Sequence, residues 1–285
     1  MARGHIKWTE KKIQCMEADG YGNGRGASYK PWIEVGMVSS LGRSRRVWSA
    51  KTDRTHHLLS DVEYRLFLAL EWSTSITDIR EQFPLDRDVT QDVARQLGIR
   101  HPHYPTTQVP TVMTVDFLVT RIRNGVECLE AFNAKRTEEA EDENSLVKLE
   151  IQRATLELIE IPHHLVFHTD IPIQKVKNID WIRDSLVKAG ESEPRPGFWG
   201  SMTSRMTQAL TGIAGTSSRT TLAQFCTSFD ATHGVEPGTG LRVARMLMFE
   251  RILSVNLSAP TLVQAPVTDL VLTGSFGKLR SVGAM

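Results

Sequence analysis

An Asn124-Gly125 dipeptide between two apolar runs constrains this chain more than any other feature. Val112-Met-Thr-Val-Asp-Phe-Leu-Val precedes it, and Glu127-Cys-Leu-Glu-Ala-Phe-Asn-Ala-Lys follows it. Asn-Gly supplies the left-handed residues of a tight turn, so the runs are predicted to pair as a hairpin. Asp116 then lies near the start of the first strand, and Asn133, Ala134 and Lys135 lie near the end of the second. Upstream, the apolar residues of Leu58-Leu-Ser-Asp-Val-Glu63-Tyr-Arg-Leu-Phe-Leu recur at helical spacing. They predict a helix over about 60–72, with Ser60 or Asp61 as N-cap.

An acid on one strand, an Asn-x-Lys on the next and a Glu on a preceding helix suit metal-dependent phosphodiester cleavage. That reaction needs an activated water, in-line attack and neutralised charge at the phosphate, which Mg²⁺ held by carboxylates and carbonyls supplies. In this reading Asp116 bridges the metal and Glu63 is a second ligand or water holder. Asn133 offers its amide oxygen, Ala134 its carbonyl, and Lys135 is the water-activating cation. The expected cofactor is Mg²⁺, two ions per site, with Mn²⁺ as a substitute. Each residue also has an ordinary reading: Asp116 capping a turn, Glu63 solvated on its helix, Lys135 a surface lysine. The neutral Asn133 weighs against the metal reading, because an amide holds a hard cation less strongly than a carboxylate.

The rest of the chain predicts an α/β class with two regions. Residues 1–35 form an N-terminal arm whose Gly- and aromatic-rich part (21–32) follows an irregular, anchored path. Its glycines are a poor phosphate loop, since no strand precedes them. Residues 37–49 read as a basic strand or hairpin, 76–83 as a strand stopped by Pro84, 86–98 as a polar helix and 101–110 as a loop. A helix over 137–160 begins with Glu138, Glu139, Glu141, Asp142 and Glu143, which complement the helix dipole. A short strand over 165–168 completes a mixed sheet flanked by helices. Beyond it, 171–178 reads as a connection and 189–218, rich in Gly, Ser, Thr and Pro, as a long loop. Helices over 221–229 and 239–255 and a wing-like strand over 267–272 fit a helix-turn-helix or winged-helix module.

Net charge is +1, but residues 1–57 hold eleven Lys and Arg against five Asp and Glu. That basic segment faces either phosphates or solvent. Cys15, Cys128 and Cys226 match no zinc spacing, and Cys128 reads as a packed strand residue. No run is long and apolar enough to span a bilayer, so no membrane partner and a cytoplasmic location are expected. His56-His57 reads as a loop pair able to meet phosphate or metal, with packing or turn roles equally open. Glu150 reads as a surface acid paired with Lys148 or Arg153, ahead of a supporting contact to Lys135.

The run from Gly42 to Glu63 resembles the TnsA family, endonuclease subunits of heteromeric cut-and-paste transposases. Leu70-Glu-Trp72, Asp78-Ile-Arg-Glu-Gln-Phe-Pro-Leu85, the run over 112–119 and Ile161-Pro162 continue the similarity, which covers roughly residues 20–182. The resemblance implies a restriction-endonuclease-like catalytic domain over 1–173 and a winged-helix-like, partner-binding domain over 174–285. It implies cleavage of the 5′ ends of transposon DNA, an integrase-type transposase partner that cuts and joins the 3′ ends, and an AAA+ ATPase regulator. The family pattern falls on Glu63, Asp116 and Lys135, and Asn133 stands where the family carries Gln. Arg43, Arg45, Lys51, His56 and His57 become expected DNA contacts, through phosphates rather than bases. Two other readings stay open: a catalytically weak or inactive adaptor that recruits the ATPase, motivated by Asn133, and a stand-alone nuclease of defence or repair.

Overall fold

Asn124 and Gly125 adopt φ of 50° and 79°, the left-handed pair that a two-residue hairpin turn requires. The computed structural model in which they do so describes residues 6–37, 43–138, 142–188, 190–213 and 219–273. Residues 38–42 of the expected basic hairpin, Glu139 and Glu141 of the expected acidic helix start, and 189 and 214–218 of the expected long loop lie outside the described residues. The chain divides into two compact units, Met1–Ile171 and Pro172–Met285.

The first unit runs α1 (Glu10–Ala18), β1 (Arg45–Ser49), β2 (Arg54–Leu58), α2 (Asp61–Trp72), β3 (Ile76–Pro84), α3 (Arg87–Gln96), β4 (Thr114–Arg123), β5 (Val126–Lys135), α4 (Glu143–Leu158) and β6 (His163–Phe167). Its main sheet has the order β3-β4-β5-β6. The first two pairings are antiparallel and β5 pairs β6 in parallel, from Ala131↔His163 to Lys135↔Phe167. A parallel pair needs a crossover, and α4 supplies it. Leu156 of α4 is buried with Leu118 and Ala131 of the sheet, while Ile151 is buried with Val93 and Ala94 of α3. The apolar stripe of α4 thus fixes that helix against the strands bearing Asp116 and Asn133.

The arm contains a helix and is anchored. Thr9 caps α1 by accepting from Lys12 N. Trp8, Ile13, Met16 and Trp32 are buried with Val112, and the Trp8 ring stacks on Tyr104 at 4.9 Å. β1 pairs with β2 in a separate antiparallel ladder, so His56 and His57 lie in a strand rather than a loop. Cys128 is only partly buried.

The second unit comprises α5 (Ile173–Arg183), α6 (Phe198–Ile213), α7 (Leu222–His233), α8 (Thr239–Phe249) and the two-residue strands β7 (Leu253–Ser254) and β8 (Val271–Leu272), which pair antiparallel. α8 packs on α5, α6 and α7. Three expectations are corrected here. The connection over 171–178 is largely the first turns of α5, and the long loop contains the sixteen-residue α6. Phe198, Met202, Met206 and Leu210 of α6 are buried at four-residue spacing. The hydroxyls of Thr203, Thr207 and Thr211 bond back to carbonyls four residues earlier. A composition that reads as loop therefore satisfies its own polar groups within a helix. The expected strand over 267–272 is a 3₁₀ turn (Val267–Asp269) followed by β8.

Candidate active site

The β4–β5 ladder runs from Arg123↔Val126 to Phe117↔Phe132. One residue beyond its end, the Asp116 carboxylate takes over the backbone's role: its Oδ2 accepts from Ala134 N at 2.7 Å. Lys135 Nζ lies 3.8 Å from the same oxygen. Asp116 and Asn133 are both buried, and with Lys135 they line a cavity of about 280 Å³ whose far wall includes Ser145, Lys148 and Gln152 of α4.

Glu63 approaches from another element. Ser60 caps α2 by accepting from Glu63 N, which sets the side chain in the first turn. Its Oε2 accepts from Leu59 N at 2.9 Å and from Gln82 Nε2 at 3.4 Å. Burial and then the charge of Asp116 push the Glu63 carboxyl up to about 8, against the smaller opposing effects of the Leu59 and Ser60 hydrogen bonds and of Lys135. Carboxyls raised by burial and a neighbouring acid cluster at functional sites, although structural networks also produce them. Glu63 is not among the residues that line the cavity, so it meets Asp116 from the α2 side.

Asn133 is held by the neighbouring strand. Its Oδ1 accepts from His163 Nε2 at 2.8 Å, and burial lowers the His163 pKa below its ordinary value. A neutral imidazole with its proton on Nε2 satisfies this bond. One lone pair of the oxygen expected as a metal ligand is therefore already engaged.

The donors suit a hard divalent cation of modest demand. Among the described residues, no three His, Cys, Asp or Glu side chains form a group able to hold a metal by themselves. Mg²⁺ commonly binds through one or two carboxylates and keeps several waters. Two carboxylates, a carbonyl and an amide oxygen are donors of that kind, and the negative charge of Asp116 adds to burial in raising the Glu63 carboxyl.

Residues 73–168 match the family model described as TnsA-like endonuclease N terminal, and residues 170–257 match TnsA endonuclease C terminal. The chain is also 40% identical over 183 residues to the Transposon Tn7 transposition protein TnsA of Escherichia coli, across 64% of this chain and 66% of that protein. The chain belongs to the TnsA endonuclease family. Asp116, Asn133 and Lys135 fall within the matched N-terminal stretch, whereas Glu63 precedes it. This TnsA-family chain thus spans just under two thirds of its curated relative.

The expected DNA contacts separate into two groups. His56 is fully enclosed, with Nδ1 on Glu81 Oε2 and Nε2 on Thr52 Oγ1, both at 2.7 Å. It has no nitrogen left for DNA, which corrects that expectation. Lys51 turns its ammonium onto the carbonyls of Ser73 and Ile76, committing it to the fold. Arg43 is exposed. Arg45 is half-buried, bonded to Asp61 at 2.7 Å and set over the Tyr64 ring. His57 accepts from Val35 N at 2.9 Å, and burial lowers its pKa. Glu150 pairs with Arg153 at 2.7 Å on the exposed side of α4, in line with its surface reading.

Sequence reasoning missed Glu81 and Gln82, which adjoin the site from β3. Glu81 is fully buried and receives Arg54, His56 and the His57 amide. Burial alone would raise its carboxyl, but Arg54 and His56 outweigh that and hold it at about 2. Gln82 has a left-handed φ of 47° inside a strand, a conformation that costs a non-glycine residue roughly 1–2 kcal/mol.

Proposed function

We propose that this chain is the DNA-cleaving subunit of a transposase, acting in the cytoplasm as a metal-dependent endonuclease at the 5′ ends of the transposon. The observation that carries the reading is Asp116, one carboxylate oxygen of which is shared by Ala134 N and Lys135, beside a second buried acid, Glu63, whose carboxyl is pushed up to about 8 by burial first and then by the charge of Asp116. Glu63, Asp116, Asn133 and the Ala134 carbonyl would hold Mg²⁺, one or two ions, or Mn²⁺ in its place. Bound there, the metal would neutralise phosphate charge and lower the pKa of an attacking water. Lys135 is placed to orient that water or stabilise charge developing on the scissile phosphate. Arg43, Arg45 and His57 are the remaining contacts to the flanking backbone.

In this reading 1–173 is the restriction-endonuclease-like catalytic domain and 174–285 a winged-helix-like domain for partners. An integrase-type transposase would cut and join the 3′ ends, and an AAA+ ATPase would regulate the complex. The net charge of +1 fits a subunit delivered to DNA by a partner rather than by its own field. The test is strand-resolved cleavage of end-labelled transposon DNA with Mg²⁺, with and without the partner transposase. Partner-dependent 5′ cuts support the reading, and 3′ cuts alone from a complex containing this chain defeat it.

The Asn133–His163 bond favours a second reading, a catalytically weak adaptor that recruits the ATPase, because the amide serves the protein's own sheet. Asn133→Gln discriminates. A gain of cutting from near zero supports an impaired site, while strong cutting by the unaltered chain removes the adaptor reading.

A further inference from the structure

Gln82 stands between the two acids. The β3–β4 register reads Glu81↔Phe117 and Phe83↔Val115, which brackets Gln82 against Asp116. Its carbonyl accepts from Trp32 N at 3.2 Å. The left-handed φ at this residue is unusual for Gln, since Asn, Asp and His are the non-glycine residues enriched there. The buried carboxamide makes two directed bonds: Nε2 donates to Glu63 Oε2 at 3.4 Å, and Oε1 accepts from Thr114 Oγ1 at 3.2 Å. Thr114 is held in turn, because its carbonyl accepts from Gln152 Nε2 at 2.8 Å. The chain of contacts therefore crosses from α4 through β4 and β3 to α2, the helix that carries Glu63.

We infer that Gln82 is the positioning residue of this site, a neutral spacer that sets the distance and orientation of Glu63 relative to Asp116, with Thr114 and Gln152 holding it in place. A carboxamide suits the task. It presents a donor to an acid without adding a charge, and its far end accepts a hydroxyl that fixes which way the amide points. A Glu at 82 would place a third carboxyl beside two others, and a Met would fill the space without direction. Strain at a residue whose side chain bonds Glu63 and whose backbone lies across the ladder from Asp116 is the kind that persists where surrounding contacts over-determine it.

The inference rests on Glu63 and Asp116 being the reacting pair, and its test separates the two claims. Cleavage with the partner transposase is measured for the unaltered chain, Asp116→Ala, Gln82→Met, Thr114→Val and Thr114→Ser. Misplacement of a reacting group by about 1 Å costs up to ~100-fold, so Gln82→Met and Thr114→Val are expected to lose about 10- to 100-fold in kcat. KM for DNA should change little, and Thr114→Ser, which keeps the hydroxyl, should restore the rate. Wild-type rates for Gln82→Met and Thr114→Val alongside an inactive Asp116→Ala overturn the spacer and leave the nuclease reading standing. A fully active Asp116→Ala overturns the nuclease reading instead. Hydrogen exchange of the Gln82 side-chain amide, followed by NMR in the full chain without metal, decides the spacer independently of cleavage. Protection that disappears in Thr114→Val and in Glu63→Ala supports it, and an unprotected amide in the unaltered chain overturns it.

Discussion

Ala134 N donates to Asp116 Oδ2 at 2.7 Å at the point where the β4–β5 backbone ladder has ended. The side chain thereby continues the link between β4 and β5 past their last paired residues and is itself pinned, so Asp116 is held in place before any ligand arrives. Asp116→Asn keeps an acceptor for Ala134 but removes the charge beside Lys135. It is expected to leave thermal stability nearly unchanged while 5′-end cutting falls by about 100-fold or more, the scale seen when one preorganised electrostatic contact is lost. Cutting by Asp116→Asn at the unaltered rate in an assembled complex would remove Asp116 from the chemistry.

Glu63 gives the site a pH signature. Its carboxyl ordinarily titrates at 4.5 and is raised to about 8 in the fold, by burial first and then by Asp116. Between those values the folded chain keeps a proton that the unfolded chain has released, so this group makes stability fall as pH rises through that window. Above about 8 the full cost, on the order of a few kcal/mol, is present. Glu63→Gln mimics the protonated acid and escapes it. Thermal melts should coincide for the two chains near pH 4.5, with the variant progressively more stable towards pH 8. Mg²⁺ should narrow the gap by stabilising the unaltered chain, and Asp116→Ala should abolish that response. Parallel melting curves from pH 4.5 to 8 would show that Glu63 is not a raised carboxyl.

Glu81 behaves in the opposite sense. Arg54 and His56 overcome its burial and hold it at about 2, below the ordinary 4.5. Its contribution is complete above about 4.5 and is lost as pH falls through about 2. The difference corresponds to roughly 3 kcal/mol. Glu81→Ala leaves Arg54 and His56 buried without their acceptor, and should cost about 3–5 kcal/mol near pH 7. The deficit should shrink towards pH 2, as read by denaturant titration at several pH values. His56→Ala should likewise appear first as lost stability, because His56 touches Glu81 and Thr52 rather than solvent.

The legible parts of the fold were those encoded by local chemistry. Asn124-Gly125 announces its hairpin, and Ser60 announces its helix by capping Glu63 N. Asp116, Asn133 and Lys135 could be placed because strand periodicity and the turn together fix which ends meet. The Glu81 network was not legible, since its acid and bases are 25 and 27 residues apart and lie in different sheets. Nothing in Ile-Arg-Glu-Gln-Phe says that Glu81 points inward or that Gln82 has a positive φ. The failure at α6 was of another kind. Its Phe198, Met202, Met206 and Leu210 spacing was present in the sequence, but Ser, Thr and Gly outvoted it when read as composition.

The second unit rests on a close crossing between α7 and α8. Asp230, buried on α7, accepts from Gly238 N at 2.8 Å and from Gly240 N at 2.6 Å. Its carboxylate therefore serves as the cap that α8 lacks from its own N-cap residue, Gly238. A Cβ at Gly240 would sit 2.9 Å from Asp230 Oδ1, 2.9 Å from the Cys226 carbonyl and 3.1 Å from the Phe229 ring. Two of these neighbours are a backbone atom and a pinned carboxylate, so the helices must separate to admit a methyl. Overpacking of this kind costs typically about 1–3 kcal/mol, which outweighs the gain of about 1 kcal/mol from replacing glycine by alanine within a helix. Gly240→Ala is therefore expected to destabilise the second unit, and Asp230→Ala to do so by about 0.5–2 kcal/mol through the lost cap. Amide hydrogen exchange in the full chain reads this locally: protection should fall across α7 and α8 in both variants and stay unchanged across β4 and β5. Unchanged or increased protection of α8 in Gly240→Ala would show that the crossing is looser than these contacts require.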